Sequence, residues 1–250
     1  MEKINITEEG FLFGYGIFET IKVIDKVAEN LDLHYERLKK SANELEIFLN
    51  ISFEEFKQII CDEIKKVESK NFIMRFSLIK DGERSKYFIN SRKNNYSLEK
   101  YEVGFKLKIS SVKRNSSSKL TYHKTLNYME NYIELMEAKK FGFDEVIFFN
   151  EKGYLCEGAI SNIFLMSDDK IYTPRIENGL LPGIKRNELI KKLRNIGENV
   201  VESDITYDML LSATSIFVTN SILGMMKVVE IEDKHYLTNE FENLKRRIKI

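Results

Sequence analysis

Short alternating apolar runs along this chain are interspersed with longer segments whose apolar residues recur every three or four positions, the pattern of a mixed α and β protein. Residues 17–23 read as a strand, and 22–27 as a hairpin turn around Asp25-Lys26. Asp32 is placed to cap a helix running to about Phe48, with Leu38, Ala42 and Leu45 on one stripe. Ser52 and Glu55 form a capping box opening a second helix, in which Phe53, Phe56, Ile60, Ile64 and Val67 share a face. Residues 72–79 read as a strand ending at the turn Asp81-Gly82, and 83–100 as a polar loop. Val103, Phe105, Leu107 and Ile109 alternate with polar or small residues, as in a half-buried strand.

The second half opens with a predicted helix over 126–140, its apolar stripe formed by Met129, Tyr132, Ile133 and Met136 and its end marked by Gly142. Strands follow over 145–149, 154–157, 160–166 and 171–173, with turns at 150–153 and 167–170. Pro182-Gly183 introduces a helix to about Ile196, closed by Gly197. Strands over 215–219 and 228–231 precede a final helix capped by Thr238. The polar, serine-rich stretch 113–119 reads as a connector. The expected organisation is an N-terminal α+β domain over 1–112, a linker over 113–122 and a C-terminal domain over 123–250.

Composition narrows the function classes. With 43% apolar and 31% charged residues, the 250-residue chain is long and apolar enough to bury a substantial core. Its 39 basic and 39 acidic residues cancel, which argues against a general nucleic-acid binder but leaves room for a local anion site. Cys61 and Cys156 lie far apart and His34, His123 and His235 are scattered, so neither a disulfide framework nor a metal site is expected. No apolar run approaches the roughly 20 residues that span a bilayer, and residues 1–5 lack the opening of a signal peptide. A cytoplasmic protein with reduced thiols is expected, without membrane or nucleic-acid partners.

Several short stretches carry candidate chemistry, and each has a plainer explanation in isolation. Lys124 precedes an amphipathic helix at a domain junction, where desolvation would make it a nucleophile toward carbonyls; most lysines are solvated surface residues. Glu157-Gly158-Ala159 would let a backbone approach a flat ligand beside a carboxylate able to pair with a protonated ring nitrogen; alone it is an ordinary turn. The helix start after Pro182-Gly183 offers free N–H groups suited to a phosphate. Thr219-Asn220-Ser221 ends a strand with hydroxyl and amide groups. Gly14-Tyr15-Gly16 is not a dinucleotide fingerprint, because Glu19 stands where its third glycine would be.

In this order and spacing the motifs are far more specific. FGYGIFETIKV (13–23), LHYERLKKSA (33–42), KTLNYMENYIELMEAKKFGFDEVIFFNEKGYLCEGAISNIFLM (124–166), IYTPRIENGLLPGIKR (171–186) and FVTNSILGMMKV (217–228) resemble the class IV family of pyridoxal-phosphate enzymes. That family includes branched-chain aminotransferases, D-amino-acid aminotransferases and aminodeoxychorismate lyases. The resemblance spans nearly the whole chain. It implies an α+β, two-domain, D-amino-acid aminotransferase-like architecture of fold type IV. The N-terminal part would be an α/β sandwich, the C-terminal part a pseudo-barrel, with the cofactor in the cleft between domains, in a homodimer.

The resemblance also implies roles at matching positions. Lys124 would form the Schiff base with pyridoxal 5'-phosphate and later move protons. Glu157 would keep the pyridine nitrogen protonated, so that the ring remains an electron sink. Arg37 would clamp the phosphate through its planar donor fork, with the Ile184 and Lys185 N–H groups and the Ser221 hydroxyl completing the cup. Tyr128 or Asn127 would hydrogen-bond the ring hydroxyl. Three departures stand out: a shortened strand pair ahead of FGYG, Lys185 in place of a threonine in the common PGITR, and Lys227 in place of a common proline.

The T-N-S-x-x-G form at 219–224 and FET at 18–20 resemble the lyase branch. The expected activity is that of a 4-amino-4-deoxychorismate lyase acting on a small-molecule amine and releasing 4-aminobenzoate, a folate precursor, and pyruvate. Thr20 is a candidate hydroxyl near the reacting carbon. The alternatives are a class IV aminotransferase acting on branched-chain or D-amino acids with 2-oxoglutarate, and a non-catalytic protein that binds a phosphate ligand.

Overall fold

The computed structural model of this chain describes residues 6–249; residues 1–5, read above for a leader pattern, lie outside them. By its contacts the chain forms two compact units. One holds the residues up to Asn95 together with His123–Tyr128; the other holds Tyr96–Tyr122 and the residues from Met129 onward. No helix among the described residues is long and apolar enough to cross a membrane.

The first unit contains α1 (Glu9–Leu12), β1 (Gly16–Ile24), β2 (Val27–Ala28), α2 (Leu31–Glu44), α3 (Phe53–Lys66), β3 (Phe72–Asp81) and β4 (Arg84–Arg92). Its antiparallel sheet runs β2-β1-β3-β4. Strand alternation sends Ile17, Ile21 and Val23 of β1, with Met74, Phe76 and Leu78 of β3, into one core against Leu38 and Ala42 of α2 and Phe56, Ile60 and Ile64 of α3. Phe18 and Thr20 therefore face the other side of the sheet. Asp25 and Lys26 take positive φ, as the two-residue β1–β2 hairpin requires. The Ser52–Glu55 capping box forms in full and starts α3.

The second unit contains α4 (Leu98–Val103), β5 (Phe105–Arg114), α5 (Met129–Lys140), β6 (Glu145–Asn150), β7 (Leu155–Gly158), β8 (Asn162–Ser167) and β9 (Lys170–Pro174). It continues with α6 (Ile184–Asn195), β10 (Asn199–Ser203), α7 (Tyr207–Ser212), β11 (Ser215–Asn220), β12 (Gly224–Ile231), β13 (Lys234–His235) and α8 (Asn239–Arg247). Its nine-stranded sheet runs β10-β9-β8-β11-β12-β5-β6-β7, with β13 paired to β12. The strands read as near-continuous apolar runs because both faces are covered. Ile163, Leu165, Ile216, Val218, Ile147 and Phe149 fill one core. The alternate residues Phe164, Met166 and Phe217 meet Leu189 and Leu193 of α6 and Phe241 and Leu244 of α8, while Val146 and Phe148 meet Leu135 and Ala138 of α5.

Several expectations change. The polar stretch 83–100 is no loop: β4 pairs residue for residue with β3 from Asp81↔Arg84 to Ile73↔Arg92, and residues 98–103 are helical. An edge strand needs apolar residues on one face only, and Tyr87 and Ile89 supply them. Asn30, not Asp32, occupies the N-cap of α2, without a side-chain cap bond, and Asp32 lies in the first turn. Val103 ends α4 and is exposed. The helix expected from 126 starts at Met129, and its buried positions are Asn131, Leu135 and Ala138. Met129, Tyr132 and Ile133 are 74%, 63% and 55% exposed, so the face opposite to the expected one packs. Asn131 is held inside by its amide, which donates to the Ala159 carbonyl at 2.8 Å, a contact apolar periodicity does not register.

The contact-defined units also divide the chain differently from 1–112, 113–122 and 123–250. Lys113 and Arg114 complete β5, paired with Phe149 and Asn150 of β6, and Ser116 is buried. Residues 123–128 join the first unit because they dock on β1: the Phe18 N–H donates to the Lys124 carbonyl at 2.8 Å, and the Leu126 N–H to the Gly16 carbonyl at 2.9 Å.

Candidate active site

Five of the residues singled out from the sequence fall in the first unit: Thr20, Arg37, Lys124, Asn127 and Tyr128. Docking of 124–126 on β1 brings the half-buried Lys124 amine to 4.3 Å from the centre of the Phe18 ring and 5.1 Å from that of Tyr128. The two rings meet edge to face at 5.5 Å. Aromatic faces beside an ammonium remove water from it while offering a weak attraction. The Asn127 side chain is exposed, and its amide donates to the Gly14 carbonyl at 3.2 Å.

A residue absent from the sequence reading joins this group. Arg75 of β3 stands opposite Thr20 in the β1–β3 register, and its guanidinium lies 3.7 Å from the Phe18 ring centre. Burial lowers its pKa from the ordinary guanidinium value, though an arginine stays charged. A cation inside the apolar run FIMRFSL was the signal available for it. Phe18 thus carries an amine and a guanidinium at its ring, with a hydroxyl on the same sheet face two residues along the strand.

Arg37 sits elsewhere in the unit. Its Nε and Nη2 donate to the two oxygens of Glu19 at 2.8 and 2.6 Å, and His34 Nδ1 lies 2.6 Å from Glu19 Oε2. Glu19 follows Phe18, so alternation turns it to the helix-covered face. Arg37 meets β1 from that face, whereas Lys124 meets it from the other. Burial acts to raise the Glu19 pKa, but the charge and hydrogen bonds of Arg37, with His34, outweigh it and hold the carboxyl at about 2. Nη1 of Arg37 stays outside this pair.

The second unit holds Glu157, Ile184, Lys185 and Ser221. Glu157, on β7, is buried, and its Oε2 accepts from the Leu181 N–H at 3.0 Å. The Leu181 carbonyl accepts from the Asn162 amide at 3.0 Å, so this one residue is held through both its backbone polar groups just ahead of α6. A Cβ at Gly183, the N-cap of α6, would come within 2.0 Å of Asn162 Oδ1, so only glycine permits this approach. Ile184 and Lys185 occupy the first turn of α6, where N–H groups lack intrahelical acceptors. The Lys185 amine lies 3.9 Å from Glu188. Ser221 follows β11 in a turn shaped by Asn220, whose Oδ1 accepts from the Ile222 and Leu223 N–H groups at 2.9 Å. Fully buried Thr219 Oγ1 has no hydrogen-bond partner among the described residues.

Glu145, also missed from sequence, is the most enclosed carboxylate of this unit. Its Oε1 accepts from the Val146 and Ala159 N–H groups at 3.0 and 3.1 Å, and its Oε2 from the Ile160 N–H and Ser161 hydroxyl at 3.1 and 2.8 Å. Burial raises its pKa to about 7 against the opposing pull of these four donors. An acidic residue opening an apolar strand was the only signal for it. Among the described residues, no group of three or more His, Cys, Asp or Glu could hold a metal ion.

The residues present suit a flat, phosphorylated carbonyl compound. In the first unit Lys124 provides an amine beside two aromatic rings, while the Nε–Nη2 fork of Arg37 is engaged by Glu19; in the second unit Glu157 provides a buried carboxylate and α6 an N-terminus capped by glycine. The chain is 28% identical over 239 residues to the aminodeoxychorismate lyase of Bacillus subtilis, covering 92% of this chain and 82% of that one. It is 30% identical over 250 residues to a provisionally named branched-chain-amino-acid aminotransferase of Aquifex aeolicus, covering 93% and 80%. A crystal structure from Legionella pneumophila, provisionally named a 4-amino-4-deoxychorismate lyase, superposes with a TM-score of 0.92 at 28% identity over 100% of this chain and 95% of that one. The fold is therefore the two-domain fold type IV. Residues 16–231 match the amino-transferase class IV family, and the chain is an enzyme belonging to that family.

Proposed function

We propose that this enzyme is a pyridoxal-phosphate-dependent 4-amino-4-deoxychorismate lyase that releases 4-aminobenzoate and pyruvate. The observation that carries this choice is its likeness to the Bacillus subtilis lyase across nearly the full length of both chains. The charge arrangement around Phe18 supports it: an amine, a guanidinium and the Thr20 hydroxyl lie on one face of the first-unit sheet, fitting a substrate that carries both an amine and carboxylates. The proposed assembly is a cytoplasmic homodimer, which light scattering of the purified protein tests.

Bound pyridoxal phosphate supplies a carbonyl for covalent attachment and an electron sink. Lys124 would attach it and, once released by the substrate amine, take the proton from the amine-bearing carbon. The pair from that C–H bond would form the new C=C bond of the substrate ring as the ether C–O bond breaks and its pair leaves on the enolpyruvyl oxygen. The ring becomes aromatic, and the departing enolpyruvyl group gains a proton as pyruvate. Glu157 would hold a proton on the pyridine nitrogen. The α6 first turn at Ile184 and Lys185, with Ser221 and Arg37, would bind the phosphate. Tyr128, whose ring lies beside Lys124, is the favoured partner of the ring hydroxyl, since the Asn127 amide is already directed to Gly14. Arg75 would hold a substrate carboxylate.

The decisive assay supplies aminodeoxychorismate to the holoenzyme and follows pyruvate together with 4-aminobenzoate. Absence of both, with rapid conversion of the cofactor to its amine form by branched-chain or D-amino acids, would replace the lyase with a transaminase. That second reading is favoured by the 30% identity to the Aquifex aeolicus protein. Borohydride treatment and peptide mapping test the attachment point: an adduct on Lys124 is expected, and its absence would revive a non-catalytic phosphate-ligand protein.

A further inference from the structure

Loop 159–161 separates Glu157 from Asn162, and most of its polar groups are hydrogen-bonded to residues outside it. The Ile160 N–H and the Ser161 hydroxyl point to the Glu145 carboxylate, and the Ala159 N–H is shared between it, at 3.1 Å, and the Val146 carbonyl, at 2.9 Å. The Ala159 carbonyl accepts from Asn131, and the Ile160 carbonyl from Asn220 at 3.0 Å. The Ser161 carbonyl accepts from the Gly158 N–H at 2.7 Å. A Cβ at Gly158 would stand 2.9 Å from Glu145 Oε2, so the turn closes around the carboxylate itself.

The flanks of this loop do related work. Glu157 binds the N–H of Leu181 and Asn162 binds the carbonyl of the same residue. The distance between those two grips is set by the loop between them. Its conformation is in turn set by a carboxylate on β6 and by Asn220, which also shapes the turn holding Ser221.

We propose that Glu145 is the positioning residue of the cofactor site: by binding loop 159–161 it fixes Glu157 and Asn162 at the spacing that places the α6 N-terminus and the ring-nitrogen partner for one cofactor. This rests on the second-unit residues serving pyridoxal phosphate. Glu145 touches neither cofactor nor substrate. It acts through the loop, as outer residues act through the ligands of a metal site, where their loss costs about 10–100-fold in affinity. A glutamine keeps the shape but turns an N–H group toward a donor, so one or more of the four bonds is lost.

The test titrates the purified protein and its Glu145→Gln, Glu145→Asp and Ser161→Ala variants with pyridoxal phosphate. Binding is read from visible absorbance, and the pH profile of that absorbance in the bound state is recorded. Thermal unfolding of the cofactor-free proteins is measured alongside. The expected result is about tenfold weaker binding for Glu145→Gln, with a displaced pH profile because Glu157 no longer sits correctly. Glu145→Asp should recover part of the affinity. Ser161→Ala, which leaves the carboxylate and three donors in place, should weaken binding about two- to fivefold on the same basis and decides the matter if the glutamine variant does not fold. A folded Glu145→Gln, or failing that Ser161→Ala, with unchanged affinity and pH profile and only a lower melting temperature would overturn the positioning role. Failure of the unaltered protein to bind pyridoxal phosphate would instead overturn the cofactor assignment beneath it.

Discussion

Glu19 and Glu145 are both buried carboxylates at the edge of a proposed cofactor site, and their surroundings push them in opposite directions. Glu19 is 1% exposed and meets full charge: Arg37 binds both its oxygens and His34 lies alongside. Glu145 is 0% exposed and meets only neutral N–H and O–H dipoles. A cation offsets burial of an anion far more than dipoles do. Glu19 is therefore held ionised at a pKa of about 2, whereas burial lifts Glu145 to about 7 despite four donors. At full burial, the charged partner of Glu19 outweighs desolvation and the neutral donors of Glu145 do not.

The sharpest way to break the contrast is to remove the cation. Arg37→Ala strands the Glu19 carboxylate in a dry site and should cost about 3–5 kcal/mol, measured by urea unfolding. Adding Glu19→Gln to it should restore part of that loss, because no buried charge remains. Crowding the other nest comes next: Gly158→Ala places a Cβ 2.5 Å from Ser161 Oγ and 2.9 Å from Glu145 Oε2, and about 1–3 kcal/mol of overpacking cost is expected. Glu145→Gln should cost about 1–3 kcal/mol through unmatched N–H groups in loop 159–161. Ser161→Ala, removing a single hydroxyl donor, should cost only about 1 kcal/mol.

The two sites also oppose each other in pH. The folded pKa of Glu19 lies below its ordinary value of 4.5, so the protein binds this proton less tightly folded than unfolded. Its contribution is present above pH 4.5 and is lost as pH falls toward 2. The folded pKa of Glu145 lies above 4.5, so its contribution is present below that value and declines as pH rises through about 7. Urea midpoints from pH 3 to 8 should show the acid fall flattened in Glu19→Gln and the alkaline fall flattened in Glu145→Gln. Slopes equal to the parent's in both variants would show that neither carboxylate has a folded pKa displaced from its unfolded one.

Much of the local structure was legible because it rests on neighbours in sequence. The Ser52–Glu55 capping box forms as read, since its partners are three residues apart. The apolar runs around 146, 163 and 216 became strands because both of their faces are apolar. The edge strand β4 was hidden by its polar outer face, which only pairing with β3 makes tolerable. The packed face of α5 was misread because a buried amide, Asn131, replaces an apolar residue there and binds a carbonyl 28 residues away. Of the site, the residues of the family motifs could be named, but not their supports. Glu19 and Glu145 lie inside the family-like segments 13–23 and 124–166, yet nothing local to them gave their roles, and Arg75 stood out only as a cation in an apolar run.

The sequence by itself determined most of the helices and the apolar strands and which motif side chains carry reactive chemistry, because helix caps, strand alternation and turn residues act over a few positions. Tertiary structure alone decided that Lys124 docks on β1 beside Phe18, that Arg37 faces Glu19, and that Glu145 collects donors from residues 159–161. Those outcomes depend on which distant segments share a dry space, and on what charges are enclosed there.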